Sequence, residues 1–200
     1  MQPLTLPDLR FLLAADGWID FGDHFEARAE LEQISPEMQQ HPDVLEISWY
    51  VFHCAEDWKS CLEVASRLVE LAPERCAGWI HRSYSLHVLK RTQEAFDNLL
   101  PVAERFPDNW VIPYNLACYS AQLGRMDEAR RHFNHAILID FKAARRASVG
   151  DADLRPLWEK IGARDPKEPG GAACYTPKSP SALNFPKLPC LGSRSGGTPR

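Results

Sequence analysis

The sequence lacks a long hydrophobic run and an excess of basic residues. Its longest apolar stretches, such as residues 11–15 (FLLAA) and 110–112 (WVI), are far shorter than the roughly 20 residues that span a bilayer. The N-terminal run is also too short for the apolar region of a signal peptide. The net charge is −4, whereas binding to nucleic acid or to an anionic membrane requires a basic face. We therefore expect a cytoplasmic protein that contacts neither nucleic acid nor membrane.

The sequence also lacks the motifs of a metal or catalytic site. Its six cysteines form no C-x-x-C pair, and its seven histidines form no H-x-x-x-H or H-E-x-x-H pattern. His53 and Cys54 are neighbours, but adjacent residues of a helix point about 100° apart, which disfavours a cysteine–histidine nucleophile pair. No G-x-S-x-G elbow or phosphate-binding loop is present. We expect no catalytic residue, metal or cofactor, and a metal-binding or cryptic enzymatic protein is the least favoured alternative.

The composition changes near residue 164. Residues 165–200 contain seven prolines, five glycines and four serines, with five basic and two acidic side chains. Residues 165–200 therefore carry a net charge of +3. Because the whole chain has a net charge of −4, residues 1–164 carry −7. A segment rich in proline, glycine and serine buries too little apolar surface to offset the entropy lost on ordering. We predict a folded domain over residues 1–163 and a disordered tail over residues 164–200.

The domain carries the apolar spacing of helices. Apolar residues recur at intervals of three and four, as in residues 26–34 (EARAELEQI) and 61–71 (CLEVASRLVEL), and alternating strand patterns are absent. Residues 35–37 (SPE), 72–76 (APERC) and 106–109 (FPDN) interrupt this pattern and separate helices of about a dozen residues. The sequence therefore predicts an all-α domain.

A period of 34 residues runs through the domain. Several series of small or apolar residues repeat at this interval: Ala27, Cys61, Ala95 and Ala129; Leu31, Ala65, Leu99 and Phe133; and Phe11, Leu45, Trp79 and Pro113. Two prolines, Pro73 and Pro107, are also 34 residues apart, and each follows a predicted helix. A fixed period of this length is typical of a solenoid built from stacked supersecondary units.

This pattern resembles the tetratricopeptide repeat, a helix–turn–helix unit of 34 residues. The best match is residues 114–136, in which the residues at template positions 7, 8, 15, 20, 24 and 27 are Leu116, Ala117, Gly124, Ala129, Phe133 and Ala136. The resemblance implies a right-handed superhelix of antiparallel helix hairpins, an α-solenoid of the bacterial type. Its four units are predicted at about residues 8–41, 42–75, 76–109 and 110–141. The small residues would let the two helices of one unit approach closely.

The sequence predicts how the array ends and where it departs from the template. Residues 151–157 (DADLRPL) are similar to a segment that often follows such repeats in bacterial proteins. We predict a capping helix over residues 153–162 that covers the last unit. Phe141 stands where the template has proline, so the preceding helix is expected to run onward or turn differently. Pro101 lies inside a predicted helix and is expected to kink it.

The resemblance also implies a partner-binding groove lined by the first helix of each unit. The residues that it places there are Asp16, Asp20, Glu46, Tyr50, His53, Ile80, Tyr84, His87, Tyr114, Cys118 and Gln122. Tyrosine and aliphatic anchors are suited to binding a peptide or a helix. The alternative for several of these residues is packing between the first helices of adjacent units. For Ile80 neither alternative is favoured, and for the three tyrosines we favour exposure. The lysine and asparagine clamp with which some family members bind a chaperone's C-terminal carboxylate is missing, since Glu46 and Tyr50 occupy its positions in the second unit.

These observations favour a non-catalytic interaction module. We expect a monomer that binds another protein through its groove. A secretion or assembly chaperone of the same repeat family is the alternative, because such chaperones are similar in size. They usually dimerise through an N-terminal segment, and only seven residues precede the first predicted unit here.

Overall fold

The computed structural model describes residues 3–161, and within this part of the chain every regular element is a helix. The α-helices of residues 3–161 are α1 (Leu6–Phe21), α2 (His24–Leu31), α3 (Pro42–Cys54), α4 (Trp58–Leu71), α5 (Cys76–Val88), α6 (Thr92–Leu99), α7 (Val111–Gln122), α8 (Met126–Ile139), α9 (Phe141–Ser148) and α10 (Arg155–Ile161). Short 3₁₀ turns lie at Pro36–Met38, Leu100–Val102 and Ala152–Leu154. The predicted all-α class is confirmed for these residues.

The first eight helices form four consecutive hairpins. Each odd-numbered helix packs against the helix that follows it, and the odd-numbered helices also contact one another along the array. We call α1, α3, α5 and α7 the A helices, and α2, α4, α6 and α8 the B helices. The small residues Ala27, Cys61, Ala95 and Ala129 are all fully buried where the B helices meet their neighbours. This arrangement is the α-solenoid that the period predicts.

A left-handed residue follows the A helix of every hairpin. Gly22 and Gly124 have φ angles of 80° and 76°, and Glu56 and Lys90 occupy the corresponding positions with φ angles of 56° and 63°. The four residues are 34 positions apart. Glycine adopts this conformation without cost, whereas glutamate and lysine are strained in it. The repeat therefore imposes the turn geometry even where the sequence has no glycine.

Trp49 links the second unit to the third. Its side chain is fully buried, its ring stacks on that of His81 with centroids 4.0 Å apart, and its Nε1 donates a hydrogen bond to Ser85 Oγ at 3.1 Å. Its place in the template usually holds a small residue. The indole instead fills the space between α3 and α5, so that the core continues from one hairpin into the next.

The structure corrects two details of the predicted helices. Helix α6 ends at Leu99 and passes into the 3₁₀ turn Leu100–Val102, so Pro101 ends the helix, where the sequence predicted a kink. Proline lacks the N–H group that an α-helix needs at this position. Helix α8 ends at Ile139, and Asp140 caps a separate helix, α9, by accepting a hydrogen bond from the Ala143 N–H at 2.9 Å. Helix α9 was not predicted.

The chain then returns to the last hairpin. Helix α10 packs against α7 and α8, and Leu154, Leu157 and Trp158 are buried there. The predicted capping helix, residues 153–162, overlaps this element. The predicted tail, residues 164–200, lies outside the described residues, and the exact limits of the units remain predictions. No helix within residues 3–161 combines the length and the apolar character needed to cross a membrane.

Candidate partner-binding surface

The A helices bring many of the predicted groove residues close together. We call the eleven predicted side chains on α1, α3, α5 and α7 the A-helix surface. Neighbouring helices bring Asp16 near Glu46, Tyr50 near His81 and His53 near Tyr84. The surface has three parts along the array: an acidic part on α1 and α3, an aromatic part on α3 and α5, and a part on α7 that another segment covers.

The acidic part contains Asp16, Asp20 and Glu46. Asp16 is partly buried, and its Oδ1 atom has no hydrogen-bond partner among the described residues. Burial and the nearby charge of Asp20 raise the pKa of Asp16 to about 6. Burial also raises the pKa of Glu46 to about 7, although the Arg75 guanidinium, 3.9 Å away, opposes the increase. Arg75 is shared, since it also forms an ion pair with Asp43.

The aromatic part contains Tyr50, His53 and Tyr84. Tyr50 contacts the rings of Trp49 and His81 edge-on, with centroids 5.2 Å apart in both cases. Tyr84 lies 5.7 Å from the ring of Trp58 and 6.0 Å from that of His53. The side chains of Tyr50, Tyr84 and Ile80 are buried, at 5%, 6% and 3% exposure. This burial differs from the exposure that the sequence favoured for the tyrosines, because aromatic rings of α3, α4 and α5 pack around them.

Burial also affects the histidines of this part. It lowers the pKa of the partly buried His53 and lowers the pKa of the fully buried His81 to about 3. The imidazole of His81 is therefore neutral at physiological pH. His81 has no hydrogen-bond partner on either ring nitrogen among the described residues, so its stacking on Trp49 is its principal contact. The middle of the A-helix surface thus carries little charge.

The part on α7 is covered by residues 151–154, which we call the C-terminal strap. Tyr114 Oη donates a hydrogen bond to Asp151 Oδ2 at 2.6 Å, and Cys118 Sγ lies 3.7 Å from the same oxygen. Tyr114 and Cys118 are both fully buried. Burial raises the pKa of Asp151 to about 6, and the hydrogen bond from Tyr114 opposes this increase.

The strap also reaches the third unit. His87 Nε2 lies 3.3 Å from Asp153 Oδ2, and Gln122 Nε2 donates a hydrogen bond to the Asp153 carbonyl oxygen at 3.0 Å. The sequence predicted this segment only as the start of a capping helix, and its contacts with His87, Tyr114 and Gln122 were missed. The D-x-D spacing at residues 151–153 was the feature of the sequence that could have indicated this segment. The strap therefore leaves uncovered the A-helix surface of α1, α3 and the part of α5 before His87, where Asp20 is exposed and Asp16, Glu46 and His53 are partly buried.

A metal ion needs several ligating side chains close together. Within residues 3–161 no three histidine, cysteine, aspartate or glutamate side chains are close enough together to hold an ion. Asp16, Asp20 and Glu46 are three carboxyl groups of the A-helix surface. Their chemistry is the attraction of basic groups and the donation and acceptance of hydrogen bonds.

We expect the substitution Glu46→Gln to stabilise the protein at pH 8. The folded-state pKa of about 7 lies above the unfolded value of 4.5, so the free energy of unfolding falls as the pH rises between these values. Glutamine removes the buried charge, and we expect a gain of about 1–2 kcal/mol at pH 8 that is mostly lost at pH 5. Urea unfolding of both proteins at the two pH values measures this difference. The control is Glu63→Gln on the exposed face of α4. A loss of stability at pH 8 would show that the Arg75 ion pair outweighs the burial of Glu46.

Together, these features define a class of protein. Four stacked helix hairpins, left-handed residues every 34 positions and a C-terminal helix covering the last hairpin make a tetratricopeptide-repeat fold. Solved structures of this fold match the chain. TTC0263, a thermophilic tetratricopeptide-repeat protein of Thermus thermophilus, has a TM-score of 0.65 and 17% identity over 78% of this chain and 83% of its own.

Two further structures are similar. MamA of AMB-1 has a TM-score of 0.58 and 19% identity, over 79% of this chain and 91% of its own. YrrB, described as a tetratricopeptide-repeat protein with an unusual peptide-binding site, has a TM-score of 0.58 and 13% identity, over 80% of both chains. At these identities the likeness establishes the fold. The sequence matches no protein-family model and no curated protein.

Proposed function

We propose that the protein is a non-catalytic interaction scaffold whose A-helix surface on α1, α3 and α5 binds a segment of another protein. The observation that carries this proposal is the surface itself. Two acidic groups that form no ion pair within residues 3–161, Asp16 and Asp20, lie on α1, which packs against α3. Helix α3 carries the partly buried His53, which belongs to a cluster of aromatic rings. Charged groups at the edge of an interface set its specificity, and aromatic groups supply most of its binding energy.

The fold supports this proposal by analogy. YrrB, a solved structure of the same fold, is described as having a peptide-binding site. Fold alone does not establish function, so the assignment depends on the residues of this chain. We infer that the partner supplies basic and apolar side chains, because those would complement Asp16, Asp20 and the aromatic part. We also infer that the protein is cytoplasmic.

Affinity capture with a matched pair of variants tests this function. The full-length protein, its Asp16→Asn/Asp20→Lys variant and its Glu63→Lys variant are each used to capture partners from a lysate of native cells. Glu63 is exposed on α4, a B helix. We expect the first variant to lose at least one partner by about tenfold in recovered amount, and the Glu63 variant to retain it. Full retention of every partner by the first variant would overturn the assignment of the A-helix surface.

The oligomeric state separates the proposed scaffold from the chaperone alternative. We propose a monomer. A dimer of the chaperone type would pack its first hairpins together, where Leu6, Phe21 and Phe25 are 83%, 85% and 75% exposed. Light scattering of the purified protein at micromolar concentration measures the mass directly. A mass near 22.7 kDa supports the monomer, and twice that mass favours the chaperone.

A further inference from the structure

We propose that residues 165–200 of this chain bind the A-helix surface on α1, α3 and α5, where they compete with the partner protein. This inference rests on the proposed function and adds an intramolecular ligand to it. It is drawn from the charges of the two regions, from the spacing of apolar residues in 165–200, and from the length of chain available.

The charges of the two regions are complementary. Asp16 and Asp20 take part in no ion pair within residues 3–161, and Arg75, which lies beside Glu46, is shared with Asp43. Residues 169–200 contain four basic side chains and no acidic one: Lys178, Lys187, Arg194 and Arg200. The N-terminal half of the A-helix surface is therefore short of positive charge, and residues 169–200 supply it.

The apolar residues of 165–200 have a spacing that fits an extended ligand. Phe185, Leu188 and Leu191 are three residues apart, and Pro186 and Pro189 lie between them. Proline favours the polyproline II conformation, which has three residues per turn, so the three apolar side chains would share one edge. Lys178 and Lys187 would share another edge, since they are nine residues apart. One ligand could then present an apolar edge and a basic edge together.

The A-helix surface offers a matching receptor. Polyproline II ligands bind to grooves lined by aromatic side chains. His53 of the A-helix surface and Trp58 at the start of the adjoining helix α4 place partly buried rings, 5.2 Å apart, beside Tyr84. Asp16, Asp20 and Glu46 lie on the neighbouring helices α1 and α3. The apolar edge would contact the rings while the lysines approach the carboxylates.

The length of the chain allows this contact. Helices pack about 8–10 Å apart, so the four A helices extend over roughly 30 Å. An extended chain rises about 3.1 Å per residue, so about ten residues cover that distance. Residues 165–181 alone are longer than these ten residues. Phe185, which follows them, is therefore able to reach α3 from the end of α10. A tether of this kind gives an effective concentration on the order of millimolar, so a weak ligand would occupy the surface.

Zero-length carbodiimide cross-linking of the full-length protein tests the contact. This reagent joins lysine amines to carboxylates that touch them, and mass spectrometry identifies the pairs. We expect intramolecular links from Lys178 and Lys187 to Asp16, Asp20 or Glu46. Their yield should fall about fivefold at high salt, because ion pairs at a surface are screened. The variant Lys178→Arg/Lys187→Arg keeps the charge and removes the amines, and should lose the links.

A second pair of variants makes the cross-linking result decisive. Asp16→Asn/Asp20→Asn should reduce the links of Lys178 and Lys187, whereas Glu63→Gln/Glu104→Gln, on exposed positions away from the A helices, should leave them unchanged. Links of equal yield to Glu63 and Glu104, or links found only between two copies of the chain, would overturn the proposal.

A labelled peptide of residues 180–193 separates this inference from the proposed function. We expect it to bind a full-length variant with Phe185, Leu188 and Leu191 changed to serine at least about tenfold more tightly than it binds the wild type, whose own segment competes. Equal affinity, or no binding to either protein, would contradict the proposal. Peptide binding without any captured partner would leave this inference standing and the scaffold function unsupported. Partner capture without peptide binding would support the scaffold function and contradict this inference.

Discussion

Replacing Trp49 with alanine is expected to lower the free energy of unfolding by about 3–5 kcal/mol, the usual cost of removing a fully buried tryptophan. Trp49 is fully buried and joins α3 to α5 through His81 and Ser85. Stacked units stabilise one another through their interfaces. The cavity that the missing indole leaves would therefore weaken both the second and the third hairpin. Equilibrium unfolding in urea, followed by circular dichroism, measures the change.

Two further variants show whether Trp49 acts through this interface. Trp49→Phe keeps an aromatic ring but removes the hydrogen bond to Ser85, and should cost less than the alanine variant. Trp18→Ala removes an indole that is 36% exposed on α1, and should cost less than Trp49→Ala because less apolar surface is lost from the core. If Trp49→Ala and Trp18→Ala had equal effects, the account of Trp49 as the link between units would be wrong.

Replacing Ala129 with leucine is expected to destabilise the protein by about 1–3 kcal/mol, because overpacking forces helices apart. Ala129 is fully buried on α8, which packs closely on α7, so three extra carbon atoms have no space. The control is Ala29→Leu, an exposed position on α2 where leucine should have little effect. Thermal unfolding of both variants compares them. An unchanged melting temperature for Ala129→Leu would contradict the assigned register of the fourth unit.

The repeating part of the fold could be predicted because its signals recur. Ala27, Cys61, Ala95 and Ala129 mark the same contact in four hairpins, and one ambiguous position matters little when three others agree. The left-handed residues show the limit of this reasoning. Gly22 and Gly124 are readable as turn residues, whereas Glu56 and Lys90 carry no such signal, and only the phase of the repeat places them.

The C-terminal part of the fold could not be predicted in the same way, because it occurs once. Helix α9 has no counterpart in the period, and its cap, Asp140, was not recognised as a helix start. The strap is held by pairs distant in sequence, such as Asp151 with Tyr114 and Asp153 with His87. The D-x-D spacing at residues 151–153 marks the segment, but nothing local in the sequence specifies its partners.

The exposure of the candidate site was the hardest feature to predict. A template position places a side chain on the A-helix surface but does not say what packs around it. Tyr50 and Tyr84 lie at such positions and are nevertheless buried, because Trp49, Trp58 and His81 bring unusual aromatic bulk to this part. Asp20 retains the exposure expected of a surface residue. Whether these residues bind a partner remains a prediction.

Site-specific photo-cross-linking tests the central claim most directly. A photoreactive phenylalanine analogue is placed in the full-length protein at Asp20, on the A-helix surface, or at Glu63, on the exposed face of α4. Both proteins are irradiated in native cells, and their adducts are identified by mass spectrometry. Adducts with a partner protein at position 20 and none with that partner at position 63 are the predicted result. Adducts with the same partner at position 63 and none at position 20 would contradict the account.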